Sequence, residues 1–572
     1  MAAKVRCPRP PLMITATKSR PVPSGTGNDL SAATLRVAHN GERNAHRSPD
    51  APSADRQLFQ NTKKHLRVMK FGGTSVGDAS CIQKVIAIIF SAIQESDVVV
   101  VVSAMSGVTN KLLEAAVRAE SGDAHSVALI FADLRALHLN TANALLSSRE
   151  SQNLISDKME NILDGGEQLC HETIRTRELT LRAQDSISSV GERLSALLLS
   201  AALAEYDLAS EAVDAVDLIV TDSFHGAAEP QMALTQQRSH ARLRPLLDHG
   251  IIPVVTGFIG ATPDGVLTTL GRGGSDYSAT ILAAALAANE VIIWTDVNGV
   301  LTVDPRLVSG ASTIPELSYR EATELAYFGA KVLHSKTMRP VMQSGIPLWI
   351  RNTFAPHQSG TRVTPTTTPN AGGIKALTAV RDVARITVGG PRLAGARDIL
   401  VRTFSALAEV RAEVLMIFHS SSQNDIGFVV PATVAKASMD ALLSEFSKEL
   451  DGQGSDHITI DSTVAIIAVV GEKMGGFPMV AGRIFRAMNR EKLGILAVAH
   501  GSTDCTIAFL VSARDTKAAL AAAHREFQLH ALDSPAAASA TANEKATITK
   551  RMRRASQVSP RFKKSKRKST AS

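Results

Sequence analysis

Residues 68–78 read Val-Met-Lys-Phe-Gly-Gly-Thr-Ser-Val-Gly-Asp. An apolar run carries a lysine and then gives way to two glycines. That is a strand running into a turn whose backbone amides lie open to an anion, and a following helix adds a favourable dipole. Residues 271–279, Gly-Arg-Gly-Gly-Ser-Asp-Tyr-Ser-Ala, repeat the arrangement far downstream. Each turn brings the charge that phosphate transfer needs: Lys70 in the first, Arg272 and Asp276 in the second. Neither is a Walker A loop, because Lys70 precedes its glycines, and neither has the Gly-x-Gly-x-x-Gly spacing of a dinucleotide turn.

Outward from these turns, strand and helix patterns alternate. Val98–Val102 is five consecutive valines, the mark of a strand buried on both faces, and residues 251–258 and 291–294 read the same way. Residues 111–182 are mostly helical. The alternation predicts an α/β fold with a mainly parallel sheet covered by helices on both faces, and phosphates at the carboxyl ends of the strands.

A second region begins near 375, after a Pro/Thr/Gly stretch, and repeats internally. Ala384-Arg-Ile-Thr-Val-Gly-Gly, a helix near 395–409 and two strands are followed by Ala465-Ile-Ile-Ala-Val-Val-Gly, a helix near 480–490 and two strands. The glycines after Val470 mimic a dinucleotide turn. Their counterpart at 388–395 assigns them to the repeat, and the 350–530 segment has no room for a dehydrogenase domain as well.

Composition narrows the classes. A length of 572 residues suggests three or four domains. Aromatics at 4% argue against stacking on nucleic acid, and no run of eighteen apolar residues suggests a membrane span. The four cysteines, Cys7, Cys81, Cys170 and Cys505, lack metal-site spacing and fit a reducing cytoplasm. The net charge of +8 misleads: residues 1–67 carry +8 and residues 545–572 carry +11, leaving −11 for residues 68–544. The body is acidic and its ends are basic, so no nucleic-acid partner is expected. Both ends read as disordered. The first is a bacterial upstream extension or, as an alternative, an organellar targeting segment.

Six motifs now carry a family resemblance. Lys-Phe-Gly-Gly-Thr-Ser-Val (70–76), Gly-Glu-Arg-Leu-Ser (191–195), Gly-Arg-Gly-Gly-Ser-Asp-Tyr-Ser (271–278), Ile-Trp-Thr-Asp-Val-Asn-Gly-Val (293–300), Asp-Pro-Arg (304–306) and Tyr-Phe-Gly-Ala-Lys-Val-Leu-His (327–334) resemble the aspartate kinases in order and spacing. The resemblance implies a three-layer αβα amino-acid-kinase domain over 68–362. It implies two ferredoxin-like βαββαβ ACT modules over 375–455 and 460–530, between extensions 1–67 and 531–572. It implies that ATP with Mg²⁺ and L-aspartate yield 4-phospho-L-aspartate.

The resemblance also assigns roles. Lys70 and Asp276 are implied to be catalytic, and Thr109, Glu192, Arg272 and Ser275 to hold the amino acid, with Arg272 forked onto the α-carboxylate. Lys70, Gly72, Gly73, Ser75, Thr295, Asp296, Arg306 and Lys331 are implied to hold the nucleotide. Gly389, Gly390, His419, Ser420 and Ser421 are implied to receive a feedback amino acid, threonine in preference to lysine. ACT modules commonly pair, so a homodimer or homotetramer is implied. No protein metal cluster is expected.

Without the resemblance, plainer readings stand. Glu192 is a first-turn helix acid, Thr109 a helix cap, Asp304-Pro-Arg306 a turn and Lys331 a solvated helix residue. Two positions depart from the family pattern: Leu301 replaces its usual tyrosine, and Ser335 its usual proline. A kinase for another amino acid, or a catalytically weakened sensor, are the competing expectations.

Overall fold

The computed structural model describes residues 65–329, 333–367, 373–390, 399–420, 425–450, 457–472, 474, 476–501 and 504–532. Apart from 65–67 and 531–532, the basic extensions lie outside the described residues.

Among the described residues the N-terminal half, the expected catalytic half, holds ten strands: β1 (Leu66–Phe71), β2 (Asp97–Val102), β3 (Ser210–Val213), β4 (Ile252–Thr256), β5 (Ile259–Ala261), β6 (Leu267–Thr269), β7 (Glu290–Thr295), β8 (Glu316–Ser318), β9 (Leu348–Asn352) and β10 (Thr361–Thr364). Eight form one sheet in the order β3-β4-β2-β1-β7-β9-β10-β8, parallel throughout except for β9 against β10. The pleat sends successive side chains to opposite faces. Val99, Val101, Val291 and Ile293 join one core, with helices Met232–Asp248 and Gly274–Leu286. Val98, Val100, Val102, Ile292 and Trp294 join the other, with helices Ala79–Ala92, Val108–Ser121 and Val190–Ala204. This two-sided burial explains the unbroken valines, each worth roughly 1.5–3 kcal/mol when fully buried.

Helical residues Leu181–Ala204 are long and apolar enough on composition to cross a bilayer, but 78% of their most apolar window is buried within the fold. Their apolarity is that of a core.

Register decides where the site falls. Phe71 pairs with Val102 and Trp294, Val102 with Thr256, and Thr295 with Asn352. The central strands therefore end at one edge. The turns after them, including Gly72-Gly73 and Gly257-Phe258, crowd together there.

The sensing half adds β11 (Ala376–Gly389), β12 (Met416–Ser420), β13 (Asp425–Pro431), β14 (His457–Val470), β15 (Ala497–His500) and β16 (Thr506–Ser512) in one antiparallel sheet, ordered β12-β13-β11-β14-β16-β15. Both long strands serve two modules. In the first module, Arg385–Gly389 pairs with His457–Asp461, so β14 supplies the fourth strand. In the second, Ala376–Val380 pairs with Ile466–Val470, so the fourth strand comes from the start of β11, ahead of the Arg385–Gly389 stretch used by the first module. The linear segment 460–530 is thus completed by residues near 376–380. Gly471 makes no dinucleotide turn. A Cβ there would lie 1.8 Å from the Gly373 carbonyl oxygen, and the next helix begins only at Phe477.

Candidate active site

A cleft of about 890 Å³ opens where the strand ends gather, lined by both glycine-rich turns. At its base Lys70 Nζ lies 2.5 Å from Asp276 Oδ1, with both side chains mostly buried. Lys70 is carried in by β1, and Asp276 by the first turn of helix Gly274–Leu286. Gly273 caps that helix at φ +68°, a conformation that glycine adopts freely. A Cβ at Gly73 would sit 2.9 Å from the Ala104 carbonyl oxygen, so glycine lets the first turn close onto the loop after β2. The helix N-terminus and the paired cation together make an anion-binding surface.

Glu192 is 3% exposed, and its Oε2 has no hydrogen-bond partner among the described residues. Gly191 places it: a Cβ there would be 2.6 Å from Ala104 Cβ, so only glycine lets this helix pack so near the strand end. Burial pushes the Glu192 carboxyl up to about 8, opposed by the backbone amides of Ala104 and Glu192 and then by Lys70. A buried, unsatisfied carboxyl facing a cleft is costly unless a cationic partner arrives.

The structure brings Lys70, Gly72, Gly73, Thr109, Glu192, Arg272, Ser275, Asp276, Thr295 and Asp296 to this one cleft. Arg272 is exposed and makes no ion pair among the described residues. Thr109 does not cap its helix, which starts at Val108 behind Gly107, so its hydroxyl is free of that task. Thr295 donates to Asp296 Oδ1 at 3.2 Å.

Two expected nucleotide residues sit elsewhere. Ser75 is fully buried, and its hydroxyl is spent on Thr353 Oγ1 at 2.7 Å and the Trp294 carbonyl at 3.4 Å. Arg306 forks onto Asp304 at 3.0 and 2.8 Å with a 74% exposed side chain. It is the turn that the plainer reading described. Lys331 lies outside the described residues.

The departures from the family pattern have local accounts. Leu301 bridges Thr313. His334 caps helix Ser335–Ser344 by accepting from the Lys336 amide, and Ser335 takes the first helical position. Burial and then the cations of Lys336 and Arg272 hold the His334 imidazole below its ordinary range.

Among the expected sensor residues, Gly389 ends β11 against Asp425: a Cβ there would lie 1.9 Å from Asp425 Oδ1. That oxygen has no partner among the described residues. Gly390 has φ +122°, and His419 is exposed in β12. Ser420 pairs with Asp425 in the ladder, and Ser421 lies outside the described residues.

Sequence reasoning missed Asp185. It is 2% exposed, in helix Leu181–Ser188, and accepts from four donors on two other segments. The available signal was its spacing of seven from Glu192, two helical turns along the same face.

Comparison with known proteins agrees with this geometry. Residues 65–352 match the amino acid kinase family, and 386–446 and 467–527 each match the ACT domain. The lysine-sensitive aspartokinase 3 of Escherichia coli is 32% identical over 79% of this chain and 96% of its own length. A bifunctional aspartokinase/homoserine dehydrogenase of Arabidopsis thaliana is 34% identical over 81% of this chain and 51% of its own. The chain therefore spans about half the length of such bifunctional relatives. Among solved structures, E. coli aspartokinase III with aspartate and ADP superposes with a TM-score of 0.68 at 29% identity, covering 81% of this chain and 99% of that one. The same enzyme with lysine and aspartate gives 0.66 at 30% identity, covering 81% and 99%. With its catalytic half and both sensor segments matched in order along nearly the whole of one such relative, the chain belongs to the aspartokinase family.

Proposed function

We propose that the protein transfers the γ-phosphoryl group of ATP to the β-carboxylate of L-aspartate, giving 4-phospho-L-aspartate and ADP, under feedback control by its ACT modules. One observation carries the reading. A single cleft holds an ion-paired lysine, an arginine free of ion pairs among the described residues and a buried carboxyl with one unpartnered oxygen, a set that suits an amino acid laid against a triphosphate.

An aspartate β-carboxylate is already ionised at neutral pH and needs no strong base. Catalysis then rests on holding two anions together and stabilising charge as it spreads. Arg272 forks onto the α-carboxylate, and Glu192 takes the α-ammonium with help from Thr109 and Ser275. The β-carboxylate oxygen bonds to the γ-phosphorus as the bond to the β–γ bridging oxygen breaks, and that electron pair leaves with ADP. Lys70, held by Asp276, stabilises the transferring phosphoryl with the Gly73 amide, the Gly72 amide being spent on the Trp294 carbonyl at 3.1 Å. Thr295 and Asp296 take the ribose side. Arg306 joins them only by leaving Asp304. Mg²⁺ would come with the nucleotide and would neutralise charge on its phosphates, with Asp276 and Asp296 the cleft carboxylates available to it.

The relatives' names mention lysine; for this chain threonine is the proposed effector. Gly389, Gly390, His419 and Ser420 would receive its carboxylate, with Asp425 taking the ammonium. The modules are proposed to pair between copies of the chain, in a bacterial cytoplasm. An aspartyl-hydroxamate assay with ATP, repeated with other amino acids and with threonine or lysine added, tests the substrate and the effector. Aspartate-dependent product that threonine lowers is the expected result. A different preferred amino acid, or no turnover, would overturn the substrate assignment.

A further inference from the structure

We infer that Asp185 is a positioning residue for the Arg272 turn, fixing the gap between the contacts for the substrate's ammonium and carboxylate. The inference rests on the aspartate-kinase reading and deepens it.

The Asp185 carboxylate is saturated. It accepts from the Gly226 amide at 3.1 Å to each oxygen, from His225 Nδ1 at 2.8 Å, from the Thr269 amide at 3.2 Å and from Thr269 Oγ1 at 2.5 Å. A carboxylate offers about four lone-pair sites, so none remains for substrate. Asp185 therefore acts through what it holds.

What it holds is the backbone leading into Arg272. Thr269 ends β6, three residues before Arg272. Thr269 also accepts from the Ala228 amide at 2.9 Å. Gly271, at φ +79°, packs so closely on Gly226 that a Cβ would lie 3.0 Å from the Gly226 carbonyl oxygen. Residues 225–228 and 269–271 thus form one body around a single buried carboxylate.

Arg272 contrasts with that body. It is exposed and makes no ion pair among the described residues, so the backbone alone sets where its guanidinium starts. The other end of the span follows from the same element. Helix Leu181–Ser188 runs through Ser189 into helix Val190–Ala204, which carries Glu192. Asp185 therefore ties the ammonium-reading helix to the carboxylate-reading turn. Misplacement of such a contact by about 1 Å can cost up to about 10²-fold in rate.

The test uses the full chain and three variants: Thr269→Val, Thr269→Ser and Asp185→Asn. Thr269→Val removes one donor to the clamp and keeps the shape. It should raise KM for aspartate about five- to tenfold, in line with the loss of one ordinary hydrogen bond, with KM for ATP nearly unchanged. Thr269→Ser restores the hydroxyl and should restore KM. Asp185→Asn should show the same split more strongly; if it fails to fold, the threonine pair still decides. A Thr269→Val enzyme with unchanged KM for aspartate, or with both KM values raised together, overturns the clamp while wild-type activity leaves the function standing. Wild-type protein without aspartate-dependent turnover overturns the function, and the clamp falls with it.

Discussion

Lys375 Nζ lies 2.9 Å from Glu321 Oε2, with the two side chains only 4% and 0% exposed. Glu321 belongs to the capping box of helix Tyr319–Tyr327 in the catalytic half, and Lys375 leads directly into β11. The other Glu321 oxygen accepts from the Glu472 amide at 2.8 Å, just past β14. One carboxylate thus satisfies the cap of a kinase helix and both long strands of the sensor sheet.

Removing one member of a buried pair strands the other, at a cost of about 3–5 kcal/mol. Lys375→Met should destabilise the protein by about that much in denaturant unfolding. Adding Glu321→Gln should cost less than the sum of the single changes. A Lys375→Met protein as stable as wild type would show that the contact does not hold the halves together.

Lys70→Ala should lower kcat by about 10²–10³, the usual loss when a contact to developing charge is removed. Its circular dichroism should stay near wild type, because the side chain lines a cleft, while its melting falls somewhat because Asp276 loses its ion-pair partner. Near-normal turnover would remove Lys70 from the mechanism.

Arg272→Lys keeps a positive charge and loses the planar fork. KM for aspartate should rise far more than KM for ATP. Equal rises would argue that Arg272 does not read the α-carboxylate.

Glu192 predicts a pH limb. Its carboxyl in the free protein titrates at about 8, with burial as the main cause. Below that pH it is protonated and binds an ammonium poorly, so kcat/KM for aspartate should climb toward pH 8 and then flatten. Glu192→Gln should abolish the limb along with most of the affinity. The stability sign follows from the same shift. The folded-state value is raised, so the unfolded chain loses its proton first. The contribution of the neutral carboxyl is intact below the ordinary carboxylate range and is lost as pH rises to about 8. Wild-type protein should therefore lose stability over that interval relative to Glu192→Gln, as thermal melts at stepped pH would show.

The valine runs made the catalytic sheet legible, because burial on both faces leaves no polar position in a strand. The glycine turns made the cleft legible, because their chemistry is local. Side-chain direction was harder. Ser75 belongs to an anion-binding turn by sequence, yet it points back to Thr353, a partner from the far end of the catalytic half. Arg306 lay beside its own partner in Asp304-Pro-Arg306, and the nearer charge holds it. Asp185 had only its spacing from Glu192 to mark it, because its donors come from two separate distant segments. The second sensor module read as complete in 460–530 because a linear repeat does not reveal a strand borrowed from upstream.

That borrowed strand has a practical consequence. Family similarity to the first sensor module begins at residue 386, which looks like a natural place to splice one regulatory half onto another enzyme. A graft made there would leave Ala376–Val380 behind and open the edge of β14 along Ile466–Val470. Bared ladder edges invite association with other chains. A transplanted regulatory half should stay soluble only when the junction is moved upstream of Lys375, so the portable unit is larger than the repeat that announces it.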